Sequence, residues 1–314
     1  MTEPVERAPQ LSITLRAYAA EDPGGWQPVL DLARAADAAG IDRVLVSDHV
    51  VFGEHLDAYG RPETGGVTGG KQPTGPDGHW LEPLTVLTYV AGITSRIRLG
   101  TNILLAALRR PVVLAKTTAT LDVLSGGRLD LGVGIGWQRE EYDAAGLDWG
   151  GRGRLLDHTL EVCRTLWTAQ RASVDTPELA FDGIHMMPKP LQAGGVPVWV
   201  SGRLNDRVVA RLARFGSAWI PWGDDANELA ESIPKMRDAV AAAGGDARDF
   251  QVAGTLPIVR HDDRSVDLPA TMVRVPPLVA AGVTDFRAHL PIPAGDAAQD
   301  YLTGVVDAFR AATR

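Results

Sequence analysis

Ile97-Arg98-Leu99-Gly100-Thr101-Asn102-Ile103-Leu104 is a β-rich run, and after 23 intervening residues Arg128-Leu129-Asp130-Leu131-Gly132-Val133-Gly134-Ile135 is another. Between them lies Pro111–Leu124, which has helical spacing, a proline at its first position and Ser125-Gly126-Gly127 as its stop. Strand, helix, strand in that order is a parallel unit, because two parallel strands need a crossover between them.

The same alternation extends in both directions. Upstream, Leu11–Arg16 reads as strand 1, Trp26–Ala39 as a helix stopped by Gly40, Arg43–Asp48 as strand 2 and Pro83–Thr94 as a helix. With residues 97–104 and 128–135 as strands 3 and 4, Arg152–Trp167 follows as a long helix. Downstream, Pro197–Ser201, Ala218–Pro221, Phe250–Val259 and Thr284–Leu290 read as strands 5 to 8. Asn205–Phe215, Glu228–Ala243, Leu268–Ala281 and Ala297–Ala312 read as their helices, the third broken or kinked by Pro276-Pro277. Eight strands and eight helices in alternation predict an α/β chain folded as a (β/α)₈ TIM barrel, with 1–314 as one domain. An open doubly wound sheet fits less well, since its nucleotide fingerprint is missing. Two segments interrupt the pattern. Val50–Trp80, rich in glycine and proline, follows strand 2 and is expected to overhang the mouth as a lid or wall. Ala172–Ala193 precedes strand 5, and its Phe181-Asp182-Gly183-Ile184-His185 suggests a small hairpin.

Bulk composition removes several function classes. Hydrophobic residues are 45 % and charged residues 22 % of the chain, and the net charge is −8. A nucleic-acid binder needs the opposite sign, as does a polybasic membrane-surface protein. No run of about 18 apolar residues is present, so no membrane span is expected. Met1–Gln10 has no apolar segment of the kind a signal peptide carries, and the expected location is cytoplasmic. The single cysteine, Cys163, sits in the apolar helical run Leu160–Trp167 and reads as a buried thiol. The seven histidines form no His-x-His or His-x-x-x-His pair, so no metal site is expected. Neither a Gly-x-Ser-x-Gly elbow nor a P-loop is present.

Catalytic residues of such a barrel sit at the carboxyl ends of its strands. Strand 2 ends in Ser47-Asp48-His49. His49 reads as a proton donor or acceptor, or as a histidine bonded to a neighbouring loop. Asp48 would hold one imidazole tautomer or contact a cofactor. Strand 4 runs into Gly132-Val133-Gly134-Ile135-Gly136-Trp137, where glycines either let the backbone lie flat against a planar ring or serve tight packing. Strand 5 closes with Ser201-Gly202-Arg203 ahead of a helix, a setting that suits a phosphate. Arg109 and Arg110 read as a solvated loop, and Glu140 and Glu141 as a solvated helix start or a contact to cofactor or substrate.

Taken in order, Ser47-Asp48-His49, Trp80-Leu81-Glu82-Pro83-Leu84, Thr94-Ser95-Arg96-Ile97-Arg98-Leu99-Gly100-Thr101, Arg110-Pro111 to Lys116, Ala119-Thr120-Leu121-Asp122 and Ser125-Gly126-Gly127-Arg128 into Trp137 resemble the bacterial-luciferase-like flavin and deazaflavin oxidoreductases. The resemblance runs from strand 1 to about Trp222, and the wording is most similar to the actinobacterial branch that uses coenzyme F420. It implies a non-proline cis peptide at Asn102–Ile103 behind the cofactor ring, and Asp48 and His49 at the reactive ring edge. It implies Gly134, Gly136 and Trp137 as pocket lining, and Ser201, Gly202 and Arg203 at the cofactor phosphate. The family's sugar-phosphate dehydrogenases carry a glutamate where Trp137 stands and a tryptophan where Gly53 stands, so glucose 6-phosphate is not expected as substrate. Asp122 and Arg128 read as structure at the barrel bottom. The resemblance thus implies F420-dependent hydride transfer with a small organic molecule, Phe52, Trp80, Trp137 and Trp222 being candidate pocket walls. Two other readings stay open: an FMN-dependent monooxygenase served by a separate flavin reductase, and a non-catalytic cofactor-binding barrel. The sequence does not give the oligomeric state; the resemblance points to a homodimer, which family members often form.

Overall fold

The computed structural model describes residues 8–314, so most of the polar start Met1–Gln10 lies outside the described residues. Eight parallel strands close into a barrel. They are β1 (Gln10–Thr14), β2 (Arg43–Val46), β3 (Arg98–Thr101), β4 (Leu129–Val133), β5 (Val198–Gly202), β6 (Gly216–Pro221), β7 (Gln251–Thr255) and β8 (Asp285–Ala288). Each pairs with its sequence neighbours, and β8 closes the ring on β1 through Leu11↔Phe286 and Ser12↔Arg287. The main helices between them are α1 (Gln27–Ala39), α2 (Pro83–Ile93), α3 (Pro111–Leu124), α4 (Arg152–Thr168), α5 (Asp206–Phe215), α6 (Leu229–Ala242), α7 (Val275–Ala281) and α8 (Ala297–Ala312). The (β/α)₈ barrel expected from the alternation is the observed fold.

Local chemistry explains the element ends. α1 stops at Gly40, whose φ of 95° only glycine adopts freely. Pro111 opens α3, where its missing N–H costs nothing. The expected helix Leu268–Ala281 is two helices, Leu268–Met272 and α7. Pro276 and Pro277 stand in the first turn of α7 and break the run ahead of them.

Two cores result. The larger lies between strands and helices and includes Phe286 against Phe309, 5.3 Å apart edge to face. The smaller lies inside the barrel, where Trp199, Ala218, Ile220 and Ala253 meet Ile103. Below it the lumen is charged. Arg43 reaches Asp130 on β4 and Asp285 on β8, strands that are not its neighbours, so these bonds cross the interior. Cys163 is fully buried and burial pushes its thiol pKa up.

Between β2 and α2, residues 50–80 contribute two 3-10 turns and the pair His79–Trp80, which forms an antiparallel ribbon with Tyr18–Ala19. Before β5, Ala172–Asp175 and Ala180–Ile184 pair as an antiparallel hairpin. No helix among the described residues is long and apolar enough to cross a membrane.

Candidate active site

The carboxyl ends of the strands surround a cleft of about 710 Å³. That is ample for a multi-ring cofactor with a small molecule beside it. Of the residues singled out in the sequence, it gathers Asp48, His49, Trp80, Asn102, Ile103, Gly134, Gly136, Trp137, Ser201, Gly202, Arg203 and Trp222. Phe52 is not part of the lining. Gln138 ties down its neighbours, accepting from Gly53 N–H at 2.8 Å and donating to Val51 O at 2.9 Å. Phe52 instead lies against the His49 ring at 4.5 Å and Trp80 at 5.6 Å.

His49 is held on both nitrogens. Nδ1 is 3.3 Å from Glu141 Oε2, and Nε2 is 3.4 Å from Gln72 Nε2. Glu141 has no exposed side-chain surface, and its second oxygen accepts from Val50 N–H at 2.8 Å. Glu141 therefore stands where the sequence suggested Asp48 would, beside the imidazole, and it is not a solvated helix residue. A carboxylate can only accept, so it favours the tautomer with hydrogen on Nδ1 and leaves the Nε2 lone pair for Gln72 or a ligand.

Asp48 has a different partner. Its Oδ2 accepts from Leu105 N–H at 2.8 Å and from Arg109 at 2.6 Å, and its Oδ1 from Arg109 at 3.1 Å. Arg109 also donates to Glu82, which caps α2 through Thr85 N–H. Arg109 is thus no solvated loop residue: only 17 % of its side chain is exposed, because the buried Asp48 draws it in. Burial pushes the Asp48 pKa up, against the pull of Arg109 and the Leu105 amide. The pair links β2 to the loop carrying Asn102 and Ile103, whose connecting peptide is cis as expected.

The glycines beside Trp137 serve packing. A Cβ on Gly134 would lie 2.9 Å from Ile103 Cδ1, and one on Gly136, whose φ is 70°, would lie 2.7 Å from Leu105 Cδ2. The space that side chains would fill is taken by the β3 loop, which the glycines let approach.

At the opposite rim Asn205 caps α5, accepting from Arg207 N–H and Val208 N–H at 3.1 Å each. Two helix N–H groups are thereby used, and the neighbouring Arg203 forms no ion pair among the described residues. Arg203 packs against Gly223, where any Cβ would sit 2.5 Å from its Nε.

Two polar atoms of cleft residues, Trp137 Nε1 and Gln72 Oε1, are buried without a hydrogen-bond partner. Native proteins rarely leave such atoms unsatisfied unless a ligand or water completes them. No group of three or more metal-ligating side chains occurs among the described residues.

The model of the luciferase-like monooxygenase family matches residues 11–268. The chain belongs to this family. One relative, an uncharacterized protein of Mycobacterium tuberculosis, is 32% identical over 273 residues, which is 86% of this chain and 89% of that protein. The phthiodiolone/phenolphthiodiolone dimycocerosates ketoreductase of M. tuberculosis is 28% identical over 236 residues, 72% of this chain and 61% of the ketoreductase. The solved structure of an F420-dependent secondary alcohol dehydrogenase, in complex with an F420-acetone adduct, superposes with a TM-score of 0.72 at 16% identity, covering 96% of this chain and 99% of the dehydrogenase. At that identity the likeness shows the luciferase-like barrel itself.

Arg109, read as solvated, and Gln72 and Arg287, not singled out, escaped the sequence reading of this site, which also left Glu141 open between a solvated helix start and a contact to cofactor or substrate. Each pairs with a residue far along the chain. The one local signal was position, since Glu141 and Arg287 both stand close to a strand's carboxyl end.

Proposed function

We propose that the protein is an F420-dependent oxidoreductase that moves a hydride between the deazaflavin and a small carbonyl or alcohol compound. The observation that carries this reading is His49, backed by a buried carboxylate, with its other nitrogen on a cleft walled by Trp80, Trp137 and Trp222. The cleft's volume and its two unsatisfied polar atoms fit a planar ring with polar edges. A bound deazaflavin supplies hydride chemistry and does not readily activate oxygen. Ile103 and Trp137 would flank the ring, and Ser201, Gly202 and Arg203 would meet its phosphate. His49 Nε2 then takes the proton of a hydroxyl as it becomes a carbonyl, or returns it in the reverse direction. Glu141 holds the ring in place and balances the imidazolium that forms, while the aromatic wall excludes water. The likeness to a ketoreductase supports a carbonyl substrate.

The second reading is an FMN-dependent monooxygenase served by a reductase, which the family's description favours. Titration with F420 and with FMN, followed by fluorescence quenching, separates the two. F420 is expected to bind at micromolar level or tighter and FMN at least tenfold more weakly. The reverse order, with oxygen consumed by the reduced flavin complex, would overturn the proposal. Cofactor binding without turnover across ketones, alcohols and enones would leave only a binding protein.

A further inference from the structure

Among the described residues, the barrel lumen holds one cation more than its carboxylates balance. Arg43 donates to Asp130 at 2.9 Å and to Asp285. Arg98 holds Asp130 with two bonds of 2.7 Å. Among the described residues Arg287 has only Asp285 as a carboxylate partner, at 3.5 Å from its Nε, and the other oxygen of that carboxylate already takes Arg43 and Ser12. Three guanidiniums (Arg43, Arg98, Arg287) therefore share two carboxylates (Asp130, Asp285). The excess falls on Arg287, because the other two are closely paired.

Arg287 is also where the lumen meets the cleft. It lines the cleft with Asn102, and its side chain is 9 % exposed. One terminal nitrogen donates to the neutral Asn102 Oδ1. The other, Nη2, makes no hydrogen bond among the described residues. His289, just past the end of β8, and Arg16 add positive charge or none to its surroundings. Burial, together with the neighbouring Arg43, pulls the Arg287 pKa down to about 10 against the pull of Asp285. It stays charged at neutral pH. A buried charge without a full counter-ion costs stability, and such costs are kept where a ligand supplies what is missing.

We propose that Arg287 is the counter-ion of an anionic ligand at the floor of the cleft, one that presents delocalised negative charge to its free Nη2 edge. Resting on the oxidoreductase reading, this charge has two sources: a carboxylate or enolate on the substrate, or the negative charge of a reduced cofactor ring. A planar guanidinium suits either, because both spread the charge over coplanar atoms.

The test begins on the protein alone, by thermal unfolding of wild type, Arg287→Met and Arg287→Lys with sodium acetate or sodium chloride at equal ionic strength. The proposal expects Arg287→Met to unfold no lower than wild type in chloride, and acetate to raise the midpoint of wild type but not of Arg287→Met. Should Arg287→Met not fold, Arg287→Lys decides, keeping a weakened acetate response. Failure of both variants to fold, or a lowered midpoint with no acetate effect in wild type, makes Arg287 a structural residue and overturns the proposal. With the cofactor that binds, affinities for its oxidised and reduced forms then locate the charge. If it lies on the ring, Arg287→Met weakens the reduced form at least tenfold more than the oxidised form. That lowers the midpoint potential by about 30 mV for each tenfold. If it lies on the substrate, that ratio holds and carboxylate-bearing competitors lose at least tenfold. No change in either also overturns the proposal. If neither F420 nor FMN binds wild type, the oxidoreductase reading fails while the acetate comparison still decides the role of Arg287.

Discussion

At the scale of single residues, His49 is the group whose chemistry depends most on its neighbours. Replacing it with alanine is expected to lower turnover by about 10²–10⁴-fold with cofactor affinity little changed. A loss below threefold, measured in steady state with cofactor bound, would remove it as the proton carrier. Glu141 makes a sharper prediction. Glu141→Gln keeps the shape but offers Nδ1 an amide that can donate as well as accept, so the tautomer is no longer fixed. The expected outcome is a fall of about two orders of magnitude in kcat with KM nearly unchanged. Nitrogen NMR of the His49 ring should show the hydrogen leaving Nδ1. Unchanged ring shifts in that variant would mean the carboxylate does not set the tautomer.

At the scale of elements, the barrel depends on how its helices end. The last carbonyls of α2 have no partner within the helix, and Arg128 supplies one. Its guanidinium donates to Ala91 O at 3.0 Å, Thr94 O at 3.1 Å and Ile97 O at 2.8 Å. Asp122 does the converse at the end of α3, accepting from Leu191 N–H and Gln192 N–H. Both lie away from the mouth, as their place in the sequence suggested. Arg128→Ala is expected to cost about 1–3 kcal/mol in urea unfolding. Cofactor affinity should stay within twofold of wild type. A larger loss of affinity would mean that the bottom of the barrel is coupled to its mouth.

At the scale of the whole molecule, the charged lumen makes stability depend on pH. Burial works to raise the Asp130 pKa, but Arg43 and Arg98 outweigh it and hold it below the ordinary carboxylate value. The folded protein therefore releases this proton more readily than the unfolded chain. Its contribution is complete above the unfolded pKa and is lost as pH falls through the folded one. Asp37 acts in the same direction: burial raises its pKa, but the amides of Ser95, Ile97 and Arg96 outweigh this and hold it below the ordinary value. Thermal midpoints should hold between neutrality and roughly pH 5, then fall steadily below about pH 4. A midpoint that is flat down to pH 3 would contradict the pairing of Asp130.

The sequence by itself determined the alternation of strand and helix, the positions of the strand ends, and hence which residues reach the mouth. These follow from periodicity, prolines and glycines, and each acts over a few neighbouring residues. What only the tertiary structure decided is who meets whom at that mouth. Glu141 lies 92 residues from His49, Arg109 lies 61 from Asp48, and Arg287 lies 185 from Asn102. No local pattern encodes those separations, so Arg109 read as a surface charge, Glu141 stayed open between a solvated helix start and a ligand contact, and Arg287 drew no attention. Burial then gives the charges their meaning. An exposed arginine or glutamate is solvated wherever it sits. Inside a closed barrel it must find a partner or await one, and closure of the ring decides which.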